Sequence, residues 1–110
     1  MAYNKELAER ITAVFEHEYP AYVDKKMFGG IAWMVQGNLA VGTMQDGLIV
    51  RLGKEDGAEA LEQDNVHPFD VTGRPMKGWV VVDEDGIDTD DSLRDWVLRG
   101  LDFALTLPPK

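Results

Sequence analysis

The sequence predicts an α+β fold of two layers, in which helices pack on one face of an antiparallel sheet of four to five strands. Two tight-turn signals lie close together between Lys26 and Arg51, and this spacing indicates a three-stranded meander. One amphipathic helical stripe precedes the meander, and another lies near the end of the chain. The predicted order is α-β-β-β-α-β-β-α, and 110 residues suit a single domain with one modest core.

The first helix is predicted over residues 4–18. Its apolar side chains recur at helical spacing and so share one face; they are Leu7, Ile11, Val14 and Phe15. Pro20 disfavours helical backbone at the residue before it, which ends the helix near residue 19. A short connector, residues 21–26, then leads to the meander.

Three strands are predicted for the meander, over residues 28–35, 39–44 and 48–52. The dipeptides Gly37-Asn38 and Asp46-Gly47 are expected at the central positions of the two hairpin turns, where positive φ is needed. The paired glycines at 29 and 30 allow either a bulge or the close approach of another backbone.

For the rest of the chain, the sequence predicts a short helix, one or two strands and a last helix. Residues 54–63 indicate a short helix interrupted by Gly57, and a short edge strand is expected near Phe69. The run GWVVV within residues 76–82 is nearly continuous in apolar character, which suits a central strand or one covered on both faces. Thr89 or Asp88 can cap the last helix. Its stripe is regular: Leu93, Trp96, Val97, Leu101, Ala104 and Leu105.

Charge and composition restrict the function classes. The formal net charge of −9 opposes direct binding to nucleic acid, because a polyanion repels an acidic domain. The absence of cysteine excludes disulfides, thiol catalysis and cysteine-based metal sites. The charged N-terminal segment does not fit a signal peptide, and no apolar run is long enough to span a membrane. We therefore expect a cytoplasmic protein.

The residue pattern contains no catalytic or metal-binding motif. His17 and His67 are fifty residues apart in the sequence, and neither stands in a motif with ligand spacing. The acidic run over residues 83–91 lacks the spacing of a calcium-binding EF-hand loop and is better explained as a solvated turn with a helix cap. We predict no enzyme activity, no cofactor and no metal.

Two sets of residues nevertheless remain candidates for binding. Four basic residues flank predicted strand ends and would form a carboxylate or phosphate site if those ends converge: Lys26, Arg51, Arg74 and Lys77. Ordinary protection of strand edges and pairing with the surplus acids are the alternative explanation. Met27, Phe28 and Trp33 are candidates for an open face of the sheet, where a second copy of the chain would bury them in a homodimer.

Four phrases of the sequence carry a family resemblance: KKMFGGIAWMVQGNLAVG, LIVRLG, HPFDVTGRPMKGWVVV and SLRDWVLRGLDFALTLP. Together they span roughly Lys25 to Pro108 and resemble the TfoX N-terminal-domain family, named after a bacterial regulator of natural competence. The resemblance implies a two-layer α+β domain and a regulatory role through contact with a protein partner, without a catalytic residue set. In the competence regulators a second, helical domain follows, for which 110 residues leave no room. A binding domain for a small anion is the alternative function.

Overall fold

The helices and strands form an α+β fold with one six-stranded antiparallel sheet. The computed structural model describes residues 5–27, 30–44, 47–69 and 77–109. The elements are α1 (Lys5–Glu18), β1 (Val23–Met27), β2 (Gly30–Val35), β3 (Asn38–Met44), β4 (Gly47–Arg51), α2 (Lys54–Ala60), β5 (Val66–Pro68), β6 (Trp79–Val82) and α3 (Asp90–Leu105). The predicted fold class is confirmed, although the sheet has six strands in place of the expected four to five.

The sheet order is β1-β2-β3-β4-β6-β5, so the first four strands follow one another and β6 lies between β4 and β5. The internal position of β6 confirms the interpretation of GWVVV as a central strand. Its alternate residues Val80 and Val82 are fully buried against the helix layer. The edge strand expected near Phe69 is β5, which ends at Pro68. A proline suits an edge because it has no N–H to donate to a further strand.

The meander differs from the prediction at both of its ends. Residues 23–26, expected as a connector, form most of β1, which pairs with β2 along its whole length, from Val23 opposite Met34 to Met27 opposite Gly30. The first predicted turn is wrong by one residue, since Gln36 and Gly37 carry the positive φ values of 53° and 84°. Asn38 is instead a buried strand residue whose Nδ2 donates to the carbonyl oxygen of Pro108 over 2.9 Å. In the second turn, Gly47 already pairs with Met44, and residues 45 and 46 lie outside the described part of the chain.

All three helices lie on the same side of the sheet. The α1 stripe contributes Leu7, Ile11 and Phe15 to the core, and α3 contributes its predicted stripe from Leu93 to Ala104. Thr89 caps α3, because its Oγ1 accepts from the backbone N–H of Ser92 over 3.1 Å. The apolar stripes of α1 and α3 therefore pack in the core, as their helical period indicates.

The expectation that Trp33 lies on an open face of the sheet is wrong. Trp33 is 0 % exposed and stacks on Phe15 of α1, with 6.4 Å between the ring centres. On the opposite face of the sheet, Ala32 and Ile49 are also buried, although they alternate with core residues along their strands. Phe69 is buried too and stacks on Trp79 at 5.7 Å. The face turned away from the helices is therefore closed at its centre.

Candidate functional site

A groove of about 520 Å³ lies between α2 and α3. Its apolar floor consists of Leu52, Ala60 and Phe103. Leu52 and Ala60 are almost fully buried, whereas Phe103 is partly exposed. The groove thus combines an accessible aromatic ring with a rigid base.

Tight packing of α2 against the start of β6 sets one wall of the groove. A Cβ atom on Gly57 would lie 2.8 Å from the Cα of Gly78, so a side chain at Gly57 would push α2 away. Gly78 has a φ of 86°, and its carbonyl oxygen accepts from the N–H groups of Leu52 and Gly53 at 2.7 and 3.2 Å. Gly57, predicted to interrupt the helix, therefore permits the contact with Gly78 that positions α2.

The rim of the groove is acidic. Asp56 and Glu59 project from α2, Asp102 projects from α3, and all three residues are exposed. None of the three carboxylates forms an ion pair with a residue in the described ranges. Close carboxylates produce a negative potential that favours a cationic ligand.

Arg99 is the basic residue of the groove lining, and its charge is already engaged. Its Nε atom lies 3.2 Å from Oδ2 of Asp95, one helical turn earlier. Its guanidinium carbon lies 4.7 Å from the centre of the Trp96 ring. Both contacts hold the side chain of Arg99 along α3.

A smaller hollow of about 290 Å³ continues the groove, and the two share Gln63 and Arg99. Asp85 and Asp95 line this second part. Across both parts the lining holds five acids and one arginine, which gives a formal charge of −4 (one minus five). The two adjacent hollows therefore present an acidic lining beside α3.

The basic cluster expected from the sequence does not form one site. Lys26 is on β1 and Arg51 on β4, so three strand spacings of about 4.8 Å, roughly 14 Å, separate their backbones. The guanidinium of Arg51 lies over the ring of Trp79 on β6, on the side of β4 away from β1, so no small anion could bind both side chains.

Arg51 has a structural contact of its own. Its guanidinium carbon lies 5.2 Å from the Trp79 ring centre and 5.7 Å from that of Phe103. Lys77 is exposed in the turn before β6, at the same end of the sheet as Arg51. Arg74 lies outside the described residues. The arginine thus links the sheet to the floor of the groove through cation–π contacts.

The three residues expected at an interface are also dispersed or undescribed. Trp33 is in the core, as shown above, and Met27 is the last residue of β1. Phe28 lies outside the described residues. Among the described residues, the exposed large apolar side chains lie apart in the chain, on β1, just after α2 and at the end of α3: Val23, Leu61 and Leu105.

His67 and Asp83 form a polar pair at the edge of the sheet. His67 Nε2 lies 2.8 Å from Oδ2 of Asp83, and Oδ1 of Asp83 accepts from the N–H groups of Asp85 and Gly86. The hydrogen bond with His67 is the main cause that lowers the pKa of Asp83 below the usual aspartate range. The hydrogen bond with His67 therefore stabilises the charged form of the Asp83 carboxylate, at the start of the acidic segment.

We expect Asp83→Asn to make the free energy of unfolding less dependent on pH in the acidic range. Because the folded-state pKa of Asp83 is lowered, its carboxylate stabilises the fold above the unfolded pKa, and this contribution is lost as the pH falls through the folded pKa. The variant should be less stable than the wild type at about pH 6, and the difference should shrink at about pH 3. Urea unfolding at both pH values measures it. Asp88→Asn, at an exposed neighbouring position, is the control; an equal difference at both pH values would contradict the assignment.

The described ranges contain no group of three or more metal-ligating side chains placed to hold an ion. None of the helices described is both long and apolar enough to cross a bilayer.

The groove has no signature in the sequence, because its walls come from two helices about forty residues apart in the chain. Phe103 follows Trp96 by seven residues and so lies at the border of the apolar stripe of α3, where its ring is only partly buried.

Comparison with known proteins gives one family. The model of the TfoX N-terminal domain matches residues 15–104 of the 110-residue chain. No curated protein and no solved structure matches. The matched range includes α2, α3 as far as Ala104, and the six strands of the sheet.

Proposed function

Because the chain belongs to the TfoX N-terminal domain family, we propose that it is a small cytoplasmic regulatory module that acts by binding a protein partner. The observation that carries this proposal is the groove between α2 and α3. It has an apolar floor surrounded by charged and polar side chains, which is the usual arrangement of a protein interface. The net charge of −9 favours a protein over nucleic acid as the partner.

The size and rigidity of the groove support this role. A volume of about 520 Å³ accepts a few side chains of a partner, which then serve as anchors. The floor is fixed by the core residues Leu52 and Ala60, so the groove needs little ordering before it binds. In this proposal the chain acts by contact rather than by catalysis.

Photo-crosslinking in cells tests the proposal. A photoreactive amino acid placed at Gln63, an exposed residue shared by both halves of the groove, is expected to capture a partner protein. The same group at Glu9, an exposed residue of α1 outside the lining of both halves of the groove, is the matched control. The captured protein is identified by mass spectrometry, and its binding to the module is then measured with both proteins purified.

Capture at Gln63 but not at Glu9, followed by binding of the purified pair, supports the proposal. Equal labelling from both positions, or no labelled protein from a well-expressed variant at Gln63, would refute it. Capture of a second copy of the chain would make the groove a homodimer contact and would equally count against a distinct partner.

A further inference from the structure

We propose that the groove between α2 and α3 binds a basic amphipathic segment of the partner, in which lysine or arginine side chains flank one apolar anchor. This inference rests on the proposed function, because it specifies the partner of the same site. Two features of the groove carry it: the distribution of charge and the position of the apolar floor.

The charge distribution of the groove favours a partner segment with positive charge. Asp56 and Glu59 on one wall face Asp102 on the other, so carboxylates stand on both sides of the floor. These exposed groups have no ion-pair partner in the described part of the chain, and a cationic side chain would meet them without displacing an existing contact. An anionic segment would be repelled from both walls.

The apolar floor selects the anchor. Leu52, Ala60 and the partly exposed ring of Phe103 lie between the acidic walls. An aliphatic or aromatic side chain placed there would remove the accessible part of this surface from water, which favours binding. Charges on either side of such an anchor would then lie beside the carboxylates, so the pattern required is basic, apolar, basic.

The two arginines near the floor do not reverse its acidic character, because Arg51, 5.7 Å from the Phe103 ring, is outnumbered by the three wall carboxylates and Arg99 is already engaged. The charge of Arg99 is paired with Asp95 and its guanidinium lies over Trp96, both within α3. The second part of the groove adds Asp85 as a further carboxylate. The acidic lining therefore continues into the second hollow, which suits a peptide better than a single small cation.

Binding of short labelled peptides tests the inference by fluorescence anisotropy. The probe peptide carries one leucine flanked by lysines, and two matched peptides replace either the lysines with glutamates or the leucine with alanine. The basic peptide is expected to bind at least about tenfold more tightly than the acidic one. Its affinity should decrease as salt is added, because the contacts lie at an exposed rim. The alanine peptide should bind more weakly than the leucine peptide.

Charge-reversed variants of the protein locate the site. Glu59→Lys and Asp102→Lys, on opposite walls, are each expected to lower the affinity for the basic peptide by roughly tenfold. Glu9→Lys changes the net charge by the same amount on the exposed face of α1 and should have little effect. Circular dichroism confirms that the variants remain folded, and the two groove variants provide independent evidence because they lie on different helices.

Equal affinity for the basic and acidic peptides would overturn the inference. So would equal weakening by Glu9→Lys and the groove variants, since net charge would then explain the binding. A partner that crosslinks at Gln63 through an acidic or uncharged segment would overturn this inference and leave the proposed function standing. Absence of any crosslinked partner would count against the proposed function itself.

Discussion

Replacing Trp33 with alanine is expected to lower the free energy of unfolding by about 3–5 kcal/mol, the usual cost of removing a large aromatic side chain from a core. Trp33 is 0 % exposed and lies nearly parallel to Phe15, with 6° between the ring planes. Its Nε1 donates to Oγ1 of Thr12 over 3.3 Å, so the substitution removes a hydrogen bond together with the packing. Urea unfolding followed by circular dichroism measures the loss without relying on the indole signal.

Trp79→Ala is the matched control, because the same side chain is there only partly buried. It should cost clearly less than Trp33→Ala, since less surface returns to water. Equal losses for the two variants would show that Trp33 is not the central packing residue between α1 and the sheet. A charge introduced at position 33 would report on folding rather than on self-association.

Gly100→Ala is expected to destabilise the protein by about 1–3 kcal/mol, although alanine favours a helix more than glycine does. The added Cβ would lie 2.6 Å from the carbonyl oxygen of Ala40 and 2.6 Å from Cγ1 of Val41. The carbonyl belongs to the backbone of β3 and cannot move without disturbing the sheet. Thermal and urea unfolding should both show the loss.

Asp102→Ala provides the comparison on the same helix. Position 102 is exposed, so alanine there adds helix propensity without meeting the sheet. We expect this variant to match or slightly exceed the stability of the wild type. If Gly100→Ala were also stabilising, α3 would have to lie farther from β3 than the structure places it.

Periodicity was sufficient to predict the terminal helices, because their apolar stripes are long and regular. It failed for β1, whose sequence VDKKM has no apolar alternation and becomes a strand through its pairing with β2. It also failed to orient Trp33. The residues of β2 are apolar on both faces, so alternation could not show which face meets the helices. A register shift between Trp33 and Met34 adds to this ambiguity.

The candidate site was predictable only in part. The sequence identified the helices that form its walls, and the acidic character of the chain was evident. The groove itself depends on the contact between Gly57 and Gly78, which are distant in sequence and carry no motif. The basic cluster was predicted on the assumption that strand ends converge, whereas the strand order places Lys26 and Arg51 far apart.

The two edges of the sheet bear on how the protein avoids aggregation. The edge at β5 is only three residues long and ends in Pro68, which cannot donate a hydrogen bond to an added strand. The edge at β1 carries exposed Asp24, Lys25 and Lys26, and a strand added there would have to accommodate their charges. Growth of the sheet from molecule to molecule, as in fibrils, is therefore opposed at both ends. Binding through the groove between α2 and α3 leaves both of these protective edges in place.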